Sequence, residues 1–269
     1  MYIILIVLLV LLALYLFALH GRRGQPGLKE LAKWRYAHRG LHDDSKPENS
    51  MAAFQAALEN GFGIEFDLHL LKDGNLGVMH DSNLKRTTGQ EGKMEELTTA
   101  QLKEYHLQGS DQTIPEFRQV LELFQGKAPL IIELKSDGNN YAQLTETAVN
   151  MLKGYEGPFC LESFDPRCIR WLQKNRPELI RGQLSENFLK SDTKDPWPLR
   201  FALTNYLTNF LNTPDFIAYN YHHRKTLSNF LCRKLWGIQG VSWTIRTQEE
   251  FDTAVSEGWI PIFENIRPE

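Results

Sequence analysis

Cysteine is scarce: Cys160, Cys168 and Cys232 are the only three in 269 residues. They form no CxxC pair and no zinc-ligand spacing, and an odd count argues against a disulfide framework. They read as buried structural thiols, which suit a reducing compartment. Also missing is any concentrated basic run in the body of the chain. With 30 Lys and Arg against 33 Asp and Glu, the formal net charge is −3. Nucleic-acid binding needs a basic face that releases counterions, so nucleic acid is not an expected partner. No glycine-rich phosphate loop follows the first candidate strand, which speaks against the open-sheet nucleotide folds. The 12 prolines and 19 glycines are scattered, and no segment reads as disordered or as a solenoid repeat.

One stretch has no charge at all. Tyr2 to Leu19 reads YIILIVLLVLLALYLFAL. As a helix rising about 1.5 Å per residue it would be about 27 Å long, just enough for a hydrocarbon core of about 30 Å. A cleaved signal peptide would need a basic leader, a shorter apolar core and a small-x-small site. Here no Lys or Arg precedes the run, and it ends in Phe17-Ala18-Leu19-His20. The expectation is an uncleaved, single-pass transmembrane anchor over 1–20. Arg22, Arg23, Lys29, Lys33 and Arg35 follow at once, so the positive-inside rule places the body of the chain in the cytoplasm. The same cations can touch anionic lipid headgroups. Gly21, Gly24, Pro26 and Gly27 suggest a flexible basic linker over 21–33, with the main domain at 34–269.

From Trp34 onward short apolar runs alternate with amphipathic stretches. Candidate strands are Arg35–His38, Gly63–Leu68, Leu76–His80, Leu130–Lys135, Phe159–Ser163, Leu179–Gln183, Phe216–Tyr219, Gly240–Thr244 and Ile260–Phe263. Candidate helices are Asn49–Asn60, Ile114–Phe124, Asn140–Lys153, Pro166–Asn175, Thr226–Trp236 and Gln248–Glu257. Such alternation implies a mostly parallel sheet covered by helices. About eight units in this length fit a (β/α)₈ barrel, with a doubly wound open sheet as the alternative. Lys85 to Ile114 interrupts the pattern as an insertion. Trp197 to Leu211 places Leu199, Leu203, Tyr206, Leu207 and Phe210 at helical spacing, either packed on the sheet or forming a lid beside the site.

Strand side chains alternate faces. In Ile64-Glu65-Phe66-Asp67-Leu68, Glu65 and Asp67 therefore share a face opposite three apolar side chains. Two neighbouring carboxylates repel and lose hydration if buried, a conflict that a divalent cation would relieve. Glu133 and Lys135 share a face after the apolar run Leu130-Ile131-Ile132. His38 and His80 each end a candidate strand, where barrel enzymes place their chemistry, and a histidine pair there suggests general acid and base.

Taken in order, Ala37-His38-Arg39-Gly40, Pro47-Glu48-Asn49-Ser50, Glu65-Phe66-Asp67, Lys72-Asp73-Gly74, His80-Asp81 and Ile132-Glu133-Leu134-Lys135 resemble the glycerophosphodiester phosphodiesterase family from about Tyr36 to the C-terminus. The resemblance implies a (β/α)₈ barrel with a segment inserted after the second strand region. It implies His38 and His80 as the acid/base pair. Glu65, Asp67 and Glu133 would hold one divalent cation, and Arg39 and Lys135 would bind phosphate. Glu48 would support the metal or His38, and Trp243 would pack against the substrate's glycerol. Three carboxylates form a hard oxygen site suited to Mg²⁺, Ca²⁺ or Mn²⁺. The implied substrates are glycerophosphodiesters or lysophospholipids.

Ile245-Arg246 and Phe263-Glu264-Asn265-Ile266-Arg267-Pro268 depart from the family's usual endings. Both departures are expected to lie away from the metal and acid/base groups and to bear on substrate preference. Two rival readings are a barrel phospholipase that forms a cyclic phosphate without a carboxylate-held metal, and a non-catalytic scaffold. The carboxylate trio argues against the first, and the retention of both histidines against the second.

Overall fold

In a computed structural model, which describes residues 1–191 and 195–269, the alternation closes into a ring. The strands are β1 (Tyr36–His38), β2 (Gly63–Leu70), β3 (Leu76–Val78), β4 (Leu130–Leu134), β5 (Phe159–Ser163), β6 (Arg181–Ser185), β7 (Phe216–Asn220), β8 (Gln239–Ile245) and β9 (Trp259–Phe263). β3 folds back antiparallel on β2. The other eight are parallel, and β1 closes the ring by pairing with both β9 and β2. This is the expected (β/α)₈ barrel.

Helices α1 (Tyr2–Ala18) and α2 (Pro26–Leu31) precede it. α3 (Met51–Glu59), α4 (Lys85–Thr88), α5 (Phe117–Phe124), α6 (Tyr141–Met151), α7 (Pro166–Asn175), α8 (Trp197–Thr204), α9 (Asn209–Asn212), α10 (Leu227–Lys234) and α11 (Gln248–Ser256) follow β1 in chain order. Their ends obey local chemistry. Ser50 Oγ accepts from the Ala53 amide at the start of α3, and Asp165 caps α7 with Pro166 at its first turn. Every residue of β2 is buried, as a parallel strand covered on both sides requires. Ile64, Phe66 and Leu68 face the helices, where the Phe66 ring lies 5.7 Å from Phe54 and 5.9 Å from Phe117. Glu65 and Asp67 are left to the interior.

The insertion at 85–114 has its own small core of Met79, Leu84, Met94, Leu97, Leu102, Leu107 and Ile114. The helix expected over Trp197–Leu211 breaks into α8 and α9, with Tyr206 between them at φ 56°. β6 begins two residues later than expected. The Pro177 and Leu179 carbonyls ahead of it accept from the Arg22 guanidinium.

The single-pass anchor is not met. α1 has 17 residues, about 26 Å at about 1.5 Å per residue, one residue shorter than the uncharged run. Among the described residues no helix is long and apolar enough to cross a membrane. The cytoplasmic placement rested on that span and falls with it. The physical reason lies at the helix's C-terminal end, which is held by the barrel. Trp236 Nε1 donates to the Leu16 carbonyl at 2.9 Å, the Tyr15 hydroxyl lies 3.0 Å from Ser228 Oγ, and Leu19 is fully buried.

The stretch 21–33, read as a flexible linker, carries α2, and Leu28 and Leu31 join the cluster inside the barrel with Tyr36, Ile131, Phe216 and Val241. Arg22 pairs through Nη2 with Asp215 at 2.8 Å, and its amide donates to the Pro214 carbonyl just before β7. The segment thus covers the end of the barrel at which the strands begin. Asp215 is fully buried and also accepts from the Arg181 amide. Asp215→Asn would leave the Arg22 guanidinium without its carboxylate. It is expected to cost about 3 kcal/mol, a fall in Tm of roughly 6–12 °C for a chain of this size. Calorimetry checks this, and an unchanged Tm would refute it.

Candidate active site

Strand register carries the polar side chains to one end of the barrel. His38 stands opposite Glu65 in the β1–β2 pair. Asp67 is opposite Glu133 between β2 and β4, and Glu133 is opposite Glu162 between β4 and β5. Ala37 is opposite Phe263 in the β1–β9 pair, so the next residue of each strand, His38 and Glu264, arrives side by side. All of these lie at or near the C-terminal ends of the strands, the end at which barrels do chemistry.

Each histidine is braced by a carboxylate. His38 Nδ1 lies 2.6 Å from Glu264 Oε2, and its Nε2 is 3.8 Å from Glu65 Oε2. His80 Nδ1 lies 2.6 Å from Asp81 Oδ1. With Nδ1–H given to the carboxylate, each ring keeps Nε2 free for a substrate. Burial is the main influence on both rings and favours the neutral form. It pulls His38 below the usual histidine range against the opposing pull of Glu264. It brings His80 down to about 4, with Asp67 resisting and Lys135 and Arg39 adding to the fall.

The carboxylates divide. Burial raises Glu65 well above the usual range, and the charges of Asp67, Glu133 and Glu162 push the same way. Burial lifts Glu133 to about 7, although Lys135 opposes it. Asp67 is also buried, yet Lys135, His80, Arg39 and a hydrogen bond from Asn49 Nδ2 at 2.8 Å hold it below the carboxylate range. Lys135 Nζ lies 2.8 Å from Glu133 Oε1 and 3.1 Å from Asp67 Oδ1, and the two carboxylates keep it charged in spite of burial. One oxygen from each of Glu65, Asp67 and Glu133 lies within 4.8 Å of the others. Glu65 Oε2 is buried without a hydrogen-bond partner. Crowded, underpartnered hard oxygens of this kind fit a divalent cation.

Arg39 sits just past β1 at φ 56°, followed by Gly40 at φ 84°. The two left-handed residues turn the chain back over the strand end. A side chain at position 40 would meet Ala53 and Phe54 at 2.9 Å. Arg39 Nη1 donates to Glu48 Oε1 at 2.9 Å, and Nε lies 3.7 Å from Asp67 Oδ2. Glu48 also receives Arg86 from the insertion, at 2.6 and 3.0 Å. His38, Arg39, Glu48, Glu65, His80, Glu133, Lys135 and Trp243 all line one cavity of about 550 Å³, with Asp67 beneath it. The structure therefore brings together every residue singled out from the sequence.

It also adds three. Glu264 contacts His38, and Arg246 Nε reaches Glu264 at 3.3 Å. This corrects the expectation that the two departures at the end of the chain stand away from the acid/base groups. Register was the signal available: both β1 and β9 end at this point. Glu162 is buried, lines the cavity and has an unpartnered Oε2. It shares a face with Cys160 by the same alternation that revealed Glu65. Arg86 lies in the insertion, where no periodicity pointed to it.

Residues 38–265 match the model of the glycerophosphoryl diester phosphodiesterase family. A glycerophosphodiester phosphodiesterase of Caldanaerobacter subterraneus subsp. tengcongensis is 30% identical over 237 residues, covering 82% of this chain and 89% of that protein. A lysophospholipase D of Rattus norvegicus is 32% identical over 148 residues, 50% of this chain and 45% of the rat protein. The structure of an Oleispira antarctica phosphodiesterase in complex with the product sn-glycerol-3-phosphate aligns with a TM-score of 0.70 and 21% identity, over 86% of this chain and 92% of that one. That identity speaks for the fold alone. The family match spans almost the whole barrel, and the Caldanaerobacter relative is matched over most of its length: the chain belongs to the glycerophosphodiester phosphodiesterase family of phosphoric diester hydrolases.

Proposed function

We propose that this chain hydrolyses glycerophosphodiesters, lysophospholipids among them, to glycerol 3-phosphate or its acylated form and an alcohol, with His38 and His80 as acid/base pair. The observation that carries the proposal is the pairing of two part-buried imidazoles, each with Nδ1 committed to a carboxylate at 2.6 Å. Both line the cavity that holds the carboxylate trio and Lys135. One imidazole, neutral, takes the proton of the attacking hydroxyl, whether of water or of the substrate, and the other, having taken up a proton at Nε2 from solvent, gives it to the departing alcohol. Arg39 and Lys135 bind the phosphate and neutralise charge gathering on its oxygens. Trp243 offers its face to the glycerol, and Glu48 holds Arg39 in place.

Glu65, Asp67 and Glu133 would hold one divalent cation, Mg²⁺, Ca²⁺ or Mn²⁺. When bound, it polarises a phosphoryl oxygen and offsets its charge. The chain's own part is to fix the three carboxylates and keep bulk water from them.

The test is an enzyme-coupled measurement of glycerol 3-phosphate and of free choline from glycerophosphocholine. Equimolar release of both is the expected result. Choline release with a cyclic phosphate as the final product would replace hydrolysis by intramolecular transfer. Absence of any product from folded, cation-supplied protein would refute the assignment.

A further inference from the structure

A second cavity, of about 710 Å³, meets the first. His80, Glu133, Lys135, Phe164 and Phe188 line both. From that shared wall the second cavity runs to α8, where Leu199 and Leu203 stand four residues apart on one face of the helix. The aromatic side chains make the path continuous. Phe164 meets Trp243 edge-on at 5.7 Å on one side and Phe188 edge-on at 6.0 Å on the other. Trp243 belongs to the first cavity and Leu199 to the second.

The opposite side of α8, two residues round from Leu199 and Leu203, is also apolar. Leu189 is 38% exposed, Trp197 63% and Phe201 38%, with the Trp197 and Phe201 rings stacked 5.3 Å apart. Water-soluble diesters need none of this surface. A groove that starts at Lys135 and offers Phe164, Phe188, Leu199 and Leu203 along its length, with Asp165, Arg167 and Asp195 also in its lining, fits a ligand that is anionic at one end and carries a hydrocarbon at the other.

We infer that the groove between Phe188 and α8 receives the acyl chain of a lysophospholipid whose phosphate is held at Lys135, and that Leu199, Leu203 and Phe188 set the preference for acylated over unacylated diesters. This rests on the hydrolytic reading above and narrows its substrate. The glycerol lies at Trp243, and the chain passes over Phe164 and Phe188 into the groove. Each methylene buried there leaves water, and each adds a similar increment to binding.

The experiment is a series of lysophosphatidylcholines, from hexanoyl to dodecanoyl and below the concentrations at which they form micelles, with glycerophosphocholine as the unacylated member. Choline release is the readout. Burial predicts a rise in kcat/KM of roughly threefold per added methylene, carried by KM, until the chain outgrows the groove. Leu199 is 44% exposed, so Leu199→Asp places a carboxylate at the surface without disturbing a core. It is expected to flatten the dependence on chain length by at least half, and Phe188→Ala to do the same independently. A series that is flat in the parent protein, with glycerophosphocholine turned over, overturns the acyl groove and leaves the hydrolase standing. A steep series that neither variant changes also overturns it, by placing the chain elsewhere. Failure on glycerophosphocholine and on every lysophospholipid removes the hydrolytic reading, and the groove with it.

Discussion

Stripped of divalent cations, the protein is expected to lose turnover by ~10³-fold or more and to recover it with Mg²⁺, Ca²⁺ or Mn²⁺. The same treatment has a second readout that needs no substrate. Without a cation, Glu65 and Glu133 are ionised only against burial and the charges around them. Their folded-state pKa values lie above the ordinary 4.5, so between those limits the folded protein binds more protons than the unfolded one. The contribution of these two carboxyls to the stability of the cation-free protein is therefore greatest on the acid side and declines as pH rises from 4.5 through about 7, whereas His38 and His80, whose folded pKa values are lowered, contribute in the opposite sense as pH rises towards 6.5. For Glu133 alone the loss is about 3 kcal/mol. A bound cation favours the ionised carboxylates and removes the decline.

Glu65→Gln takes one charge out of the cluster. At pH 8 the cation-free variant is expected to melt above the cation-free parent, while added cation raises its Tm far less and activity is lost. Thermal melts from pH 5 to 8, with and without chelator, settle this. Chelated profiles that are the same in parent and Glu65→Gln variant, together with full activity in the chelated parent, would remove the cation from the proposed site.

His38→Ala and His80→Ala should each lower kcat by roughly 10²–10⁴-fold. The double variant should fall little further than the poorer single one, because groups that act as a unit are not additive. Choline release under single-turnover conditions separates this from slow product release. If either variant kept more than a tenth of parental kcat, that histidine would lose its proposed role.

Glu264→Gln tests the brace. The hydrogen bond to His38 holds the Glu264 carboxyl at about 2 despite its burial. Its folded pKa is depressed, so the stability it contributes is present above 4.5 and disappears as pH falls towards about 2. The amide keeps a hydrogen bond but not the charge. The expected result is a kcat loss of about tenfold, smaller than that from removing His38 itself, with KM nearly unchanged.

The alternation of faces made most of this site legible beforehand. Glu65 and Asp67 between Ile64, Phe66 and Leu68 admit only one arrangement in a strand covered on both sides, and β2 has it. His38 and His80 announced themselves as strand-end residues. Glu264 did not, because its importance comes from the pairing of β1 with β9, and no local pattern states which strands are neighbours. Glu162 was open to the same reasoning as Glu65 and was missed because it stands alone in its strand. Arg86 came from an insertion without periodicity. The N-terminal segment misled for a related reason. Its composition describes what the residues prefer, whereas Trp236, Ser228 and Asp215, all more than 190 positions away, decide where they stop.

That last distance sets an order of events. The residues that cover the barrel's strand-start end leave the ribosome before β6 and β7 do, for the groups that fasten Arg22 are 155 to 193 positions later in the chain. Until β6 and β7 exist, α2 has no interior to enter and α1 has no wall to lean on. Contacts so distant in sequence form slowly, and domains assemble while the chain is still growing. The cap made from these residues is thus among the last pieces to settle, and until it does Leu16 to Leu19 have no wall to meet.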